Sequence, residues 1–334
     1  MASVSTNPAR PARDPRRLRL ASLLQRQGVL LALIGLIIFS ALRYENFLSA
    51  TNIADVLGYN AMFGLLGLGM TFVIIAGGID LSVGSVAALA SVIAARFSVY
   101  GLWPGLLVPL AAGLLIGLVN GWLIAHMRIA PFIVTLATLL AARGLALMIG
   151  NNTSIAISYA SGFKSLGQSM LFGLPLPAII TAALYLAGGL ALTYAPFGRH
   201  VLAIGGNEEA ARLMGLPVRR LKIGVYAISG VLAALAGVIL AARYGSGQPT
   251  EGNGWELAAI ASVVVGGTLL TGGAGSVWST LAGVLLLGLI FNILNFENSR
   301  GTISLSFYWQ SVIRGVFLLV VVLVQNRLAR RDEP

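Results

Sequence analysis

Val56–Ala76 reads VLGYNAMFGLLGLGMTFVIIA, and Gly77–Val86 continues the chain as GGIDLSVGSV. The first stretch has no charged residue in 21 positions, and a helix that crosses the hydrocarbon core of a bilayer needs about 20 mostly apolar residues. The second stretch turns the chain at two glycines and one aspartate, Asp80, before the next apolar run begins. The sequence therefore predicts a transmembrane helix that is joined to its successor by a tight hairpin at membrane depth.

The composition of the whole chain agrees with a membrane protein. Of its 334 residues, 57% are hydrophobic and only 10% are charged, whereas soluble globular proteins carry about 25% charged residues. This excludes an ordinary soluble enzyme, and it excludes a disordered chain, which requires low hydrophobicity and high charge. The absence of cysteine excludes a disulfide-stapled secreted domain. The predicted fold class is an all-α polytopic membrane protein.

Ten apolar stretches, several of them short, are predicted to be transmembrane helices. They are Gly28–Leu42, Val56–Ala76, Leu81–Phe97, Pro104–Ala125, Ile129–Ile149, Met170–Tyr194, Ile223–Ala242, Leu257–Leu270, Val277–Phe296 and Trp309–Val324. They define a membrane domain over residues 28–326, between a basic, disordered tail over residues 1–27 and a short tail over residues 327–334. No small-x-small cleavage site follows the first stretch, so we expect an uncleaved span rather than a signal peptide.

The net charge of +11 indicates the topology of the chain. With a cytoplasmic N-terminus and ten spans, fifteen of the 22 basic residues fall on the cytoplasmic side, and only five fall on the outer side. Cytoplasmic loops of membrane proteins carry such an excess of Lys and Arg. We therefore expect a bacterial inner-membrane protein with both termini in the cytoplasm, and no nucleic-acid binding.

The glycines fall into two kinds. Gly113, Gly117 and Gly121 share one helix face, which is typical of close helix packing in membranes. The clusters Gly77–Gly84 and Gly266–Gly275 instead join spans without polar loops, and each is followed by a Gly-Ser-Val triplet. This pattern predicts broken or re-entrant helices and a weak internal repeat of the kind that many transporters show. The number of spans is then eight to eleven.

Catalytic and nucleotide-binding motifs are absent from the sequence. No G-x-x-x-x-G-K-[ST] phosphate loop is present, and the two histidines stand far apart, so we predict no catalytic residue, no metal site and no directly bound cofactor. Polar residues within or beside the spans are candidates for a translocation pathway or gate: Asn60, Thr71, Asp80, Ser82, Asn120 and Thr135. The alternative is structural, since hydroxyls and amides bond helix to helix and Asp80 can cap the helix that begins near Ser82.

The longest internal polar loop, residues 195–222, contains a predicted short helix over Asn207–Met214. Asn207 is its expected N-cap, and Glu208 and Glu209 lie favourably in its first turn. Such a helix is suited to docking on a cytoplasmic partner.

At this loop the sequence resembles a known family. Glu209-Ala210-Ala211-x-x-x-Gly215 is similar to the motif by which permeases of ATP-binding-cassette importers dock on their ATPase. Further resemblance to ribose-type sugar permeases lies in three segments: Gly67–Gly84, Asn120–Gly144 and Glu256–Thr268. A narrower similarity to galactofuranose-type permeases rests on Asn295-Phe296-Glu297 and Tyr308-Trp309-Gln310.

The resemblance implies a type II-like importer fold with about ten helices and a permease subunit for a monosaccharide. It implies a second permease copy or paralogue, a periplasmic or lipid-tethered sugar-binding protein, and ABC ATPase subunits that hold the ATP and magnesium. Asn207, Glu208, Glu209, Ala210, Ala211 and Gly215 are then the ATPase-coupling residues, and Phe132 joins the pathway candidates. The alternative is a self-powered secondary carrier of a sugar or polyol, although such carriers usually contain acidic relays.

Overall fold

The computed structural model describes residues 15–299 and, beyond them, residues 309, 312, 313, 315 and 316, with side chains from residue 28 to residue 298 and at those five positions. The helices are α1 (Pro15–Arg43), α2 (Ala50–Ile75), α3 (Val83–Phe97), α4 (Leu102–His126), α5 (Pro131–Gly150), α6 (Ser165–Gln168), α7 (Leu176–Thr193), α8 (Pro196–Gly206), α9 (Glu208–Leu213), α10 (Val218–Tyr244), α11 (Trp255–Val265) and α12 (Val277–Ser299). Short antiparallel ribbons pair β1 (Ile155–Ala156) with β4 (Ser246–Gly247), and β2 (Met170–Leu171) with β3 (Leu174–Pro175).

Seven helices in the described part of the chain are long and apolar enough to cross a membrane. They are α2, α3 with its 3₁₀ extension to Tyr100, α4, α5, α7, α10 and α12. The fold is therefore that of a polytopic helical membrane protein, as the composition predicted. Gly28–Arg43 and α11 are shorter apolar helices. The predicted span Trp309–Val324 lies outside the described residues except at five positions, which are helical.

Two predicted spans are wrong in part, and turn residues explain both errors. Residues 170–175 of Met170–Tyr194 form the β2–β3 hairpin, whose turn contains Phe172 and Gly173 at positive φ, so α7 begins only at Leu176. The span Leu257–Leu270 ends early because α11 stops at Gly266, and Gly267 has a φ of +90°. Left-handed backbone of this kind terminates a helix.

Two other predicted segments are more helical than expected. Residues 15–27 of the predicted tail belong to α1, and residues 1–14 lie outside the described residues. The predicted polar loop 195–222 contains α8 as well as α9. α8 is held by Val201 and Ile204, which are buried although the sequence around them is rich in glycine.

The core of the bundle is formed by α2, α3 and α10. In the 18-residue apolar stretch of each helix, 94% of the residues of α2 are buried. The share of buried residues is 22% for α4 and for α5, and 28% for α7. A helix that is apolar on all sides must be covered by protein or by lipid. The outer faces of α4, α5 and α7 are therefore the surfaces that this chain leaves for lipid or for another subunit.

The Gly113-Gly117-Gly121 stripe of α4 lies against the backbone of α10. A Cβ atom at Gly117 would lie 2.9 Å from Ala227 Cα, and one at Gly121 would lie 2.6 Å from Ile223 Cα. Neither position has room for a side chain. The two helices thus pack backbone to backbone, the arrangement that small residues allow in a membrane.

A second close approach joins three segments that are distant in sequence. The α2–α3 turn, the C-terminal end of α8 and the loop between α11 and α12 meet there, and we call this contact the glycine junction; it comprises Ile75–Gly78, Gly205–Gly206 and Gly272–Gly275. The Gly273 amide donates a hydrogen bond of 2.9 Å to the Ile75 carbonyl. A Cβ at Gly205 would collide with that same carbonyl and with Gly273 N. Both glycine clusters of the weak repeat therefore contact the end of one helix.

Replacing Gly205 by alanine tests this junction. The added methyl group has no space, and overpacking of this kind costs about 1–3 kcal/mol. We expect Gly205→Ala to lower the melting temperature of the detergent-solubilised protein measurably. Gly206→Ala is the matched control, because a Cβ at the adjacent position meets nothing within 4 Å. Equal melting temperatures for the two variants would contradict the described packing.

Candidate functional site

Asp80 lies at the centre of a buried hydrogen-bonded cluster. Its Oδ1 accepts from the Ser82 amide at 3.0 Å and from Ser82 Oγ at 2.6 Å, and its Oδ2 accepts from Ser229 Oγ of α10 at 2.7 Å. Asn120 of α4 donates to Ser82 Oγ at 3.3 Å. The carboxylate thus ties the α2–α3 turn to both helices of the glycine-stripe contact.

The cluster extends to α5. Thr138 Oγ1 donates to Asn120 Oδ1 at 2.6 Å, and Thr135 Oγ1 donates to the carbonyls of Pro131, at 2.9 Å, and Ile79, at 3.4 Å. A buried polar network whose members bond to one another rigidifies the fold. Four of the pathway candidates, Asp80, Ser82, Asn120 and Thr135, are therefore brought together, but in an arrangement that also supports the structural alternative.

The other pathway candidates lie elsewhere. Thr71 is fully buried and shares a hydrogen bond of 2.9 Å with Thr280 of α12. Asn60 faces α12 at Gly288 and donates to the Val56 carbonyl at 2.8 Å. Phe132 is exposed on the outer face of α5. These three residues therefore lie apart from the Asp80 cluster: Asn60 and Thr71 of α2 face α12, and Phe132 is exposed on α5.

The largest of the described cavities, of about 610 Å³, lies near the end of α10 that is far from α9. It is bounded by α2, α10, the segment 248–254 and α11, and Gly315 also contacts it. Aromatic side chains line it together with polar ones: Tyr59, Phe63, Tyr244, Trp255, Gln248, Thr250, Glu251 and Asn253. Apolar and aromatic walls with a few polar groups are typical of small-molecule sites. We call this the aromatic cavity.

The polar wall of the aromatic cavity is held in place from α3 and α5. Arg143 donates to the carbonyls of Pro249, at 2.7 Å, and of Glu251. Ser91 Oγ accepts from the Gln248 amide at 3.0 Å. Arg143 thus bonds α5 to the loop before α11, and the side chain of Glu251 is exposed. A guanidinium at depth is stable where carbonyl oxygens satisfy it.

Sequence reasoning missed the aromatic cavity. Its walls come from residues 59–63, 240–258 and 315, and none of these segments carries a polar motif within a span. One signal was present, since Gly252-Asn253-Gly254 before Trp255 predicts a turn that presents an aromatic side chain.

The helix α9 has the cap that the sequence predicted. Asn207 Oδ1 accepts from the Ala210 amide at 2.9 Å, and Glu208 and Glu209 lie in the first turn. At the other end Gly215 has a φ of +82°, with its amide bonded to the Arg212 carbonyl and that of Leu216 bonded to the Ala211 carbonyl. These two bonds form a Schellman motif, in which the left-handed position favours glycine.

Charge fixes α9 against α10. Glu208 is bonded to Lys222 at 2.6 Å and to Arg212 at 2.9 Å. Partial burial alone would raise the pKa of the Glu208 carboxyl, but the hydrogen bonds and charges of Lys222 and Arg212 outweigh it and hold the pKa below its usual value. The contact therefore stabilises the fold fully at a pH above the ordinary carboxyl pKa. This stabilisation is lost as the pH falls through the lowered pKa of Glu208.

Two large apolar side chains at the end of α9 have no cover within the described chain. Leu213 is 84% exposed and Met214 is 70% exposed. Glu209 and Gly215 are exposed beside them, whereas Ala211 is buried against Val218 and Leu221. Leu213 and Met214 are a second feature that sequence reasoning missed, because the glutamate-alanine-alanine pattern draws attention to the first turn of the helix.

Within the described residues, no three His, Asp or Glu side chains come together as a metal site. The imidazole of His126 stacks on Trp122, with 5.8 Å between the ring centroids. The described residues thus form two candidate functional surfaces, the aromatic cavity and the exposed end of α9, which the helical core joins.

Comparison with known proteins identifies relatives over nearly the whole chain. The chain is 41% identical to the ribose import permease protein of Bacillus subtilis, over 94% of this chain and 97% of that protein. It is 40% identical to the L-arabinose transport system permease protein of Escherichia coli, over 89% of each chain. Identity to the xylose transport system permease protein of the same organism is 33%, over 90% of this chain and 91% of that protein. No solved structure matches.

The family profile described as "Branched-chain amino acid transport system / permease component" matches residues 52–322, which include both glycine clusters, the Asp80 network and α9. The chain belongs to this family of permease components.

Proposed function

We propose that the chain is the permease subunit of an ATP-binding-cassette importer that carries a pentose or hexose across the bacterial inner membrane. The observation that carries this proposal is the similarity, over about nine-tenths of the chain, to permeases for ribose, L-arabinose and xylose. The family description names amino acids, but these sugar permeases match over most of the chain. Among the described residues that line the aromatic cavity, Glu251 is the only charged one, so they provide no pair of opposite charges that would select an amino acid.

In this proposal, partner ATPase subunits supply the energy for transport. The sequence contains no phosphate loop, so ATP and magnesium are bound by ATPase subunits, while a sugar-binding protein delivers the solute. The excess of basic residues in this part of the chain favours a cytoplasmic position for α8 and α9. The aromatic cavity is then on the outer side, where the solute enters. A second permease copy or a paralogue completes the translocation pathway.

Reconstitution tests the proposal against a self-powered carrier. The protein is placed in liposomes with its ATPase and sugar-binding protein, and ATP hydrolysis and uptake are measured with a panel of pentoses, hexoses and polyols. The proposal requires uptake that depends on ATP and a sugar that stimulates hydrolysis. Equal uptake by liposomes that hold this chain alone would instead establish a secondary carrier.

Trp255 in the wall of the aromatic cavity is expected to contact the sugar. Trp255→Phe keeps an aromatic ring against Phe63, whose centroid lies 5.0 Å from that of Trp255, but removes part of the cavity wall. We expect sugar uptake to fall roughly two- to tenfold, as the loss of one pocket contact typically does, at unchanged ATP hydrolysis without sugar. Trp103→Phe is the control, because Trp103 is 65% exposed outside the cavity. Unchanged uptake by Trp255→Phe would show that the aromatic cavity is not part of the translocation pathway.

The exposed end of α9 is proposed as the ATPase contact. Leu213→Ser combined with Met214→Ser removes two apolar side chains that an interface would bury, and we expect affinity for the ATPase to fall about tenfold or more. Tyr194→Ser serves as a control, since Tyr194 is 73% exposed at the same end of the bundle. Co-purification in detergent measures the loss. Normal recovery of the ATPase with the double variant would contradict the contact.

Gly215 tests whether the shape of the α9 turn transmits motion. Gly215→Val places a β-branched residue at positive φ and strains the turn, so we expect ATP hydrolysis to continue while sugar uptake falls. Gly215→Asn is the matched variant, because asparagine tolerates the left-handed conformation, and it should retain most uptake. Equal loss of uptake in both variants would contradict this expectation. It would show that any side chain at position 215 blocks a contact, whatever the geometry of the turn.

A further inference from the structure

A second cavity, of about 340 Å³, lies where the end of α4 meets the turn before α10. Four arginines line it, Arg128, Arg212, Arg219 and Arg220, over apolar contacts from Leu216 and Pro217. No carboxylate side chain contributes to the described lining. Positively charged side chains that share one space repel each other, and an anion bound there lowers that repulsion.

Three of these arginines lack a carboxylate partner. Arg212 is bonded to Glu208 at 2.9 Å, but Arg128, Arg219 and Arg220 are exposed and form no salt bridge with any described acidic residue. The backbone of Arg128 has a φ of +55°. A non-glycine residue in this left-handed conformation is strained, and such strain clusters at ligand sites. Arg128 lines the same space as Arg219 and Arg220.

The surroundings of the cavity place it at the border of the apolar belt. Trp122, Met127 and Ile129 stand next to Arg128 in sequence, and all three are exposed, by 46%, 58% and 37%. Tryptophan is enriched where the hydrocarbon of a bilayer meets water. The arginines therefore lie next to exposed apolar side chains, an arrangement that suits the headgroup level of a bilayer. Leu213 and Met214, the proposed ATPase contact, do not line the cavity, although their neighbours Arg212 and Leu216 do.

We propose that this basic cavity binds the phosphate of an anionic phospholipid headgroup, with Arg128, Arg219 and Arg220 as its ligands. Guanidinium groups bind phosphate oxygens through paired hydrogen bonds, and basic pockets between transmembrane helices on the cytoplasmic side bind such headgroups. The proposal rests on the proposed function in one respect, the choice of leaflet. The lipid belongs to the cytoplasmic leaflet if α9 is cytoplasmic.

The test uses the full chain alone in detergent. Arg219→Gln combined with Arg220→Gln removes two ligands, and Lys164→Gln combined with Arg199→Gln removes the same charge elsewhere. Native mass spectrometry follows titration with phosphatidylglycerol, with phosphatidylcholine and with inorganic phosphate. We expect phosphatidylglycerol to bind the parent and the control equally and the cavity variant at least about tenfold more weakly. A second variant, Arg219→Lys with Arg220→Lys, should recover part of the affinity, because charge remains while the planar fork is lost.

Three results would overturn the proposal. Equal phosphatidylglycerol binding by the cavity variant and the control would show that net charge alone attracts the lipid. Inorganic phosphate binding as tightly as the lipid would assign the cavity to a free anion. Retained lipid binding by the cavity variant, together with loss of the ATPase in a separate co-purification of that variant, would make the cavity a docking groove for that partner. Because the titration needs neither ATP nor sugar, failure of the importer reconstitution leaves its outcome unaffected.

Discussion

Close approach between backbones is the constraint on which this bundle depends. A bilayer offers no hydrophobic drive to bring helices together, so van der Waals contact and hydrogen bonds must do so. The chain achieves that contact at several places, among them the glycine stripe of α4 against α10 and the glycine junction, where the Gly273 amide donates to the Ile75 carbonyl at 2.9 Å. A side chain at Gly117 or Gly205 would separate the elements that these contacts join.

The glycine junction also connects the two surfaces proposed to work in transport. α8 ends in the junction, and the single residue Asn207 separates it from α9, so a displacement of α9 reaches the α2–α3 turn and the loop before α12 through backbone contact alone. From that turn the Asp80 carboxylate reaches Ser229 of α10 at 2.7 Å. Side chains that change rotamer would absorb such a displacement, whereas packed backbones transmit it.

Local signals made some features predictable from sequence, while non-local ones stayed hidden. The Asn207 cap and the Gly215 turn follow from bonds within a few residues, and the structure has both. α8 escaped prediction because its glycines disfavour a helix and only tertiary burial of Val201 and Ile204 stabilises it. The aromatic cavity joins segments almost 200 residues apart along the chain, which no periodicity reports. The role of buried amides and hydroxyls such as Thr71 was ambiguous in the sequence, because a translocation pathway and a contact between helices use the same groups.

The same packing indicates where the chain can open. The Asp80 network is closed among α3, α4, α5 and α10, and every oxygen of its carboxylate has a donor, so an opening there would break several buried hydrogen bonds. α11 is different. It is 11 residues long, it begins after Gly254 and ends before Gly267, both at positive φ, and its first residue, Trp255, forms the wall of the aromatic cavity. α11 thus borders the aromatic cavity between two turns, whereas a route through the core would break the Asp80 hydrogen bonds, so we expect a solute to pass beside α11.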